Sequence, residues 1–350
     1  MSSPCGGPGE PAEIRTAIVD RLKENVNHDK HMHGIRRRPA PPAPRERATR
    51  PREYPRRQRT IEKEPPVRTI RRRAALVAPG SDEKKARKAL TGSADEVILD
   101  LEDAVTPTLK ADARSLVAEL TREYGRTRPV SIRVNGRATD WFAEDLAACA
   151  ALGDTLTSIV LPKVESRADL VAADSLLGAG TDVPVQALIE TPAGVGALDE
   201  IATGPRLTTV VIGYADLGAA LGRARTVTPQ QWLFVQDRVL HAARAAGIQA
   251  VDGPFLGIAD DEPFREATRW VADLGFDGKW VIHPAQTATV RETFTPTPEQ
   301  AEQARRVLST LAEAAARGAG AAQLDGQMLD EAVAVAARRT LSMAGAGDEQ

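Results

Sequence analysis

The sequence predicts an α/β protein: a (β/α)8 TIM barrel with a C-terminal helical tail and a disordered N-terminal leader. Three observations predict it. Eight short, β-branched, near-continuously apolar runs follow one another between residues 73 and 282, as strands covered on both faces should read. Helical stretches alternate with them. Nearly every run ends in an ionisable or hydrogen-bonding group, at the strand end where barrels carry their chemistry. The chain of 350 residues, 42% hydrophobic with 27 Gly, can bury a large core. A doubly wound open sheet is the alternative, weakened because no Gly-x-Gly-x-x-Gly follows an early strand. The expected division is a leader over 1–72, a barrel over 73–295 and a helical extension or lid over 296–350.

The strands are expected at 73–78, 96–101, 130–135, 157–162, 184–189, 208–213, 248–252 and 278–282. Helices are expected between them at 82–91, 108–123, 141–151, 166–177, 193–203, 229–246 and 261–274. Two more follow the last strand, at 285–291 and 298–316, and a separate helical tail lies around 327–343.

The leader is different chain. Residues 1–73 hold 19 Lys/Arg against 9 Asp/Glu, a charge of +10, and 11 of the 24 prolines. The remainder carries −12, giving the net −2. Pro39 to Pro66 has almost nothing apolar to bury, so it cannot offset its ordering entropy. One short helix could form at 11–26. The leader reads either as a solvated tail or as an electrostatic tether to an anionic surface. His28, His31 and His33 have no further metal ligand nearby. No apolar run approaches the ~18 residues of a membrane span, and no secretory signal opens the chain. Cys5 and Cys149 cannot make a disulfide framework or a cysteine zinc cluster. A soluble cytoplasmic protein is expected.

The strand ends converge on one rim. Strand 1 ends in Pro79-Gly80-Ser81, a turn that would expose backbone N–H groups. Strand 2 runs into Asp100, Glu102 and Asp103; strand 3 carries Arg133 and Asn135. Strand 4 ends in Lys163 and Glu165, strand 5 in Glu190-Thr191, strand 6 in Tyr214-Ala215-Asp216. Strand 7 ends in Asp252-Gly253-Pro254 and strand 8 in His283-Pro284. Acidic groups without cysteine or extra histidine suit a hard cation, Mg²⁺ first and Mn²⁺ second. Glu190 and Asp216 are the expected ligands, although each alone could be a rim salt bridge. Arg133 presents a fork suited to a carboxylate or a developing enolate. Asp100, Glu102 and Asp103 could hold waters of a bound metal or orient Arg133. Equally, Asp103 could cap a helix and Asp100 could pair with Lys110. Pro254 and Pro284 could line a substrate loop or simply shape turns.

These residues carry a resemblance. AALVAPGS (74–81), VILDLEDAV (97–105), SIRVNG (131–136), IVLPKVES (159–166) and ALIETPAGV (187–195) stand in order. VIGYADLGAALG (211–222), VDGPFLGI (251–258), GFDGKWVIHPAQ (275–286) and LDGQMLDEA (324–332) follow. Over about 73–343 the chain resembles the HpcH/HpaI aldolase/citrate lyase superfamily, in particular its CitE-like CoA-ester lyases. The resemblance implies a Mg²⁺-dependent lyase that cleaves or forms a C–C bond in a 3-hydroxyacyl-CoA thioester through an enolate. Malyl-CoA, β-methylmalyl-CoA or citramalyl-CoA would give acyl-CoA plus glyoxylate or pyruvate. It implies Glu190 and Asp216 as metal ligands and Arg133 as the carboxylate- and enolate-binding group. Asp330 would be an acid/base delivered by the tail of a neighbouring subunit in a homotrimer or larger assembly; without the resemblance it reads as a surface residue. Asp103 joins the expected catalytic set. Pro79, Gly80, Asp100, Glu102, Gly253, Pro254, His283 and Pro284 are expected around the CoA thioester and keto acid.

Neighbouring readings stay open: a malyl-CoA thioesterase, a citrate lyase β-subunit, or an aldolase acting on free keto acids. Binding of nucleic acid or another anion through the leader is opposed by the −12 body.

Overall fold

In a computed structural model the described residues are 70–224 and 228–345. The expected leader, its helix at 11–26 and its three histidines lie outside them, apart from the last residues before the first strand. Eight parallel strands close into a barrel in sequence order, with the first hydrogen-bonded to the last. They are β1 (Ala74–Pro79), β2 (Glu96–Asp100), β3 (Val130–Arg133), β4 (Ser158–Leu161), β5 (Val185–Ile189), β6 (Leu207–Ile212), β7 (Gln249–Asp252) and β8 (Gly278–Val281). The flanking helices are α1 (Glu83–Leu90), α2 (Lys110–Tyr124), α3 (Phe142–Ala150), α4 (Arg167–Leu177), α5 (Pro192–Gly196) and α6 (Leu198–Ile201). They continue with α7 (Tyr214–Ala220), α8 (Leu233–Ala246), α9 (Glu262–Leu274) and α10 (Thr287–Thr293).

Local chemistry sets the helix starts. Asp82 accepts from the Lys85 amide at the head of α1, and Asp261 from the Phe264 amide at the head of α9. Ser166 and Asp169 form a reciprocal capping box on α4. Gly247 and Gly275 end α8 and α9 in left-handed backbone, which glycine adopts without a Cβ penalty.

The period of two along each strand builds the barrel interior in layers. Outward residues such as Val97, Leu99 and Ile132 join the large core beneath the helices. Inward residues form a middle apolar layer: Ala75, Ile98, Val160, Leu188, Val211, Val251 and Trp280. Below it lies a polar floor. Glu96 takes hydrogen bonds from Ser131 at 2.5 Å and Gln186 at 3.0 Å, and pairs with Arg72 at 2.8 Å. Above the layer the same faces carry Asp100, Arg133 and Glu190. Glu96–Ile98–Asp100 and Gln186–Leu188–Glu190 each read polar, apolar, polar on one face.

Four elements depart from the sequence expectation. The helix expected at 193–203 is two short pieces, α5 and α6, that meet at Ala197. The one expected at 229–246 begins as a 3-10 turn over Pro229–Trp232. Helix α7 was not expected at all, because Gly213 and Gly218 make its stretch read as loop. In the tail, α11 (Pro298–Ala316) leads into a hairpin of β9 (Ala322–Leu324) and β10 (Gln327–Leu329) before α12 (Glu331–Gly345). The first residues of the expected tail helix are therefore strand.

Helix α12 packs along α11 and reaches the N-terminal end of the barrel strands. There Arg339 pairs with Asp277 at 2.8 Å, and the Met343 carbonyl accepts from Arg71. Among the described residues no helix is long and apolar enough to cross a membrane.

Candidate active site

The C-terminal ends of β2 to β6 bring a charged cluster together at the barrel mouth. Arg133 forks onto Asp100, with Nε 2.7 Å and Nη2 2.5 Å from its two carboxylate oxygens. Asp100 is itself fixed by the amides of Glu102 and Ala104. This bidentate pair holds the guanidinium plane rigidly. Burial works to lower the Arg133 pKa, but Asp100, Glu102 and Glu190 outweigh it and the group stays charged.

Glu190 is buried, and its Oε1 accepts from the Lys163 amide at 2.9 Å. Its carboxyl is pushed up to about 8, first by burial and then by the neighbouring Glu102. Gly213 makes room for it: a Cβ there would come within 2.4 Å of the Glu190 Cβ and 2.5 Å of Oε2. Asp216, on the first turn of α7, lies across Lys163, whose Nζ is 3.0 Å from its Oδ2. The same ammonium is 2.6 Å from Glu102 Oε1, 3.9 Å from Glu190 Oε1 and 4.0 Å from Asp103 Oδ2. Burial raises the Glu102 pKa against the pull of Arg133 and Lys163. Glu102 Oε2 lies 3.0 Å from Arg133 Nη1, yet it is a buried oxygen that receives no hydrogen bond.

This donor set fits a small divalent cation. Asp100, Glu102, Glu190 and Asp216 bring four carboxylates against the two cations Arg133 and Lys163. Glu102 Oε2 receives no hydrogen bond, and burial with the neighbouring Glu102 pushes the Glu190 carboxyl toward its neutral form, which a bound cation would reverse. All-oxygen donors are the ligands of Mg²⁺.

Several expected site residues have structural partners. The Gly80 amide is spent on the Asp100 carbonyl at 2.8 Å, so the Pro79–Ser81 turn does not offer that N–H to a ligand. A Cβ at Gly80 would meet the same carbonyl at 2.6 Å. A Cβ at Gly253 would meet the Ile212 carbonyl at 2.0 Å, so this glycine serves close packing. His283 is exposed and its Nδ1 accepts from the Ala285 amide, with Pro284 opening the following turn. Asp103 is 62% exposed and caps no helix. Lys110 reaches the carbonyls of Leu101 and Glu102 at 2.6 and 2.7 Å rather than the Asp100 carboxylate. Asp330 accepts from the amides of Ala332 and Val333 at the head of α12, and among the described residues nothing bonds it to the mouth.

Two cavities flank the cluster. One of about 870 Å³ is lined by Glu102, Asp103, Lys163, Asn135 and Thr191. The other, about 790 Å³, lies beside α7 against Tyr214, Trp232, Pro254 and Phe255. Under it sits a network in which the strand-end residues Tyr214 and Asp252 meet Lys279 and Gln236, which the sequence did not single out. Lys279 pairs with Asp252 at 2.5 Å, and Tyr214 bonds the same carboxylate. Gln236 then links the Tyr214 hydroxyl to the Trp270 indole, 2.9 Å from each. Tyr214, two residues before Asp216, thereby pins the start of α7. The sequence signal for Lys163, a lysine at a strand end among acidic ends, was present but its central position was not.

Comparison with known proteins agrees with this geometry. The family model described as HpcH/HpaI aldolase/citrate lyase matches residues 73–284. An L-malyl-CoA/beta-methylmalyl-CoA lyase of Cereibacter sphaeroides is 36% identical over 295 residues, covering 76% of this chain and 92% of the relative. A (3S)-malyl-CoA thioesterase of the same organism is 38% identical over 283 residues, covering 78% and 94%. The crystal structure of CitE from Mycobacterium tuberculosis in complex with magnesium, acetoacetate and coenzyme A superposes with a TM-score of 0.64 at 33% identity, covering 78% of this chain and 98% of that one. Closed barrel, ordered motifs and matched relatives together place this chain in the HpcH/HpaI aldolase/citrate lyase family.

Proposed function

We propose that the protein is a Mg²⁺-dependent CoA-ester lyase acting on a malyl-CoA-type thioester. The observation that carries the reading is the mouth cluster, where the buried Glu190 and the half-buried Asp216 gather around Lys163 beside an Arg133 locked by Asp100. Glu190 and Asp216 would hold the cation, with Glu102, whose Oε1 shares the Lys163 ammonium with Asp216, close enough to join. When bound, the cation would supply Lewis acidity toward the keto-acid oxygens. Arg133, preorganised by its fork, stabilises negative charge on the enolate oxygen as the C–C bond breaks. The adjoining cavities give the thioester arm its room.

Asp330 would manage the proton on the acyl-CoA carbon. Its own chain holds it at the head of α12, while that helix runs to the opposite end of the barrel. We therefore place Asp330 in the mouth of a second copy, within a homotrimer or larger assembly whose lid is residues 296–350. We infer a location in the cytoplasm, a compartment in which CoA-linked substrates occur. Mn²⁺ would substitute for Mg²⁺, sharing its oxygen preference.

A second reading, a thioesterase acting on malyl-CoA, is favoured by the 38% identical relative of that name. One assay tests both. Purified protein receives malyl-CoA, β-methylmalyl-CoA or citramalyl-CoA with Mg²⁺, and glyoxylate or pyruvate is trapped. Keto acid released by wild type, and lost in Glu190→Ala and Asp216→Ala, is the expected result. Free CoA without C–C cleavage would move the assignment to the thioesterase. Turnover of free keto acids alone would sink the CoA-ester reading.

A further inference from the structure

We propose that Lys163 is a built-in counter-ion for the cation site: its ammonium holds Glu102, Glu190 and Asp216 together until a divalent cation binds, and is then expelled toward solvent. The inference rests on the metal-site reading above and goes beyond it by naming what occupies the carboxylates otherwise.

Four observations carry it. First, the ammonium bonds two of the oxygens a dication would need, Asp216 Oδ2 at 3.0 Å and Glu102 Oε1 at 2.6 Å, and lies 3.9 Å from Glu190 Oε1, which the Lys163 amide holds. A small dication takes such oxygens at about 2 Å, so the two cations are alternatives at one place. Second, Lys163 is the exchangeable cation of the pair. Its side chain is 42% exposed, whereas Arg133 is 13% exposed and forked onto Asp100. Third, the Lys163 backbone has φ +52, a left-handed conformation that favours glycine or asparagine. A long cationic side chain at such a position points to a use for that side chain. The strained turn also aims the Lys163 amide at Glu190 Oε1, so one residue grips the cluster through backbone and side chain together. Fourth, a further carboxylate, Asp103, lies 4.0 Å from the same ammonium, so the mouth can take the extra unit of positive charge that a dication brings.

The consequence is a site that is preassembled and guarded. The carboxylates keep their spacing without a metal, and the affinity for the metal is lowered by the ammonium that must leave. Removing the ammonium should therefore tighten metal binding, the reverse of what loss of a helpful side chain would do.

The test uses the full chain as wild type, Lys163→Met, Lys163→Arg and Glu190→Gln. Mg²⁺ binding is followed by calorimetry after chelator treatment, and thermal midpoints are taken with and without Mg²⁺. Lys163→Met is expected to bind Mg²⁺ about tenfold more tightly, to melt lower than wild type without metal, and to gain more in midpoint when Mg²⁺ is added. Lys163→Arg keeps the charge and should restore wild-type or weaker affinity. If Lys163→Met does not fold, Lys163→Gln carries the same expectation, since it removes the charge with little loss of length. Unchanged or weaker Mg²⁺ binding in the uncharged variants, with wild type binding normally, overturns the counter-ion role alone. Equal binding by wild type and Glu190→Gln, or none by wild type, overturns the metal-site reading and this inference with it.

Discussion

At the scale of single residues, the mouth depends on charges whose neighbours decide their state. Asp100 is the firmest case, buried and bonded to Arg133 and to two amides. Asp100→Asn should cost about 3 kcal/mol of stability, because it leaves a largely buried guanidinium half-paired. Denaturant unfolding would measure this, and turnover should fall as well because Arg133 loses its fork. Glu190 gives a pH signature. Its folded pKa of about 8 stands above the ordinary 4.5, so between those values the folded protein holds a proton that the unfolded chain has released. Its contribution to stability is full below pH 4.5 and is lost as pH rises through 8. Chelator-treated wild type should therefore lose stability over that window more steeply than Glu190→Gln. Much of this site was legible. Asp100, Glu102, Arg133, Glu190 and Asp216 stand at strand ends, and strand ends meet on one rim. The hub at Lys163 was not legible, because neither the sign of φ nor four simultaneous distances is written in a strand-end lysine.

At the scale of elements, the site is held by close approaches of backbone to side chain. Gly213 has ordinary backbone angles, so its lack of a side chain matters only for space. Gly213→Ala should push Glu190 out of place. The expected cost is about 1–3 kcal/mol, the usual range for overpacking, with weakened Mg²⁺ binding; calorimetry and thermal melts would show both. The strands were legible because eight apolar runs leave few other arrangements. The role of the polar residues inside them, Glu96, Ser131 and Gln186, was not read from the sequence. They are the inward face at the floor, where the side chains hydrogen-bond one another and only Gln186 Oε1, of these three residues, is left without a partner. Helix α7 and the β9–β10 hairpin escaped because seven and three residues are too short to show a period.

At the scale of the whole molecule, the charge is divided between a basic first segment and an acidic body. The last arginines of that segment belong to the barrel: Arg72 pairs with Glu96, and Arg73 with Asp95 at 2.8 Å. Deleting residues 1–69 should leave turnover intact. Deleting through Arg73 should lower stability by about 3–5 kcal/mol, since it strands a fully buried Glu96. Parallel melts of the two truncations would separate these outcomes, and a loss of turnover in the shorter deletion would give the leader a role in the reaction.

The polar floor has a consequence for how the chain reaches its native state. Its bonds join Arg72 to Gln249 at 2.5 Å across 177 residues, and Gln186 to Glu96 across 90. No half of the barrel contains all the partners of Glu96. An amino-terminal half emerging first from the ribosome would carry Glu96 without its Gln186 partner. The Arg72–Gln249 bond and the pairing of β1 with β8 wait for the last strands, so the ring is completed late, through distant contacts and correspondingly slowly. The barrel should fold as an indivisible unit, and two co-expressed half-barrels should recover activity only by docking into the complete ring.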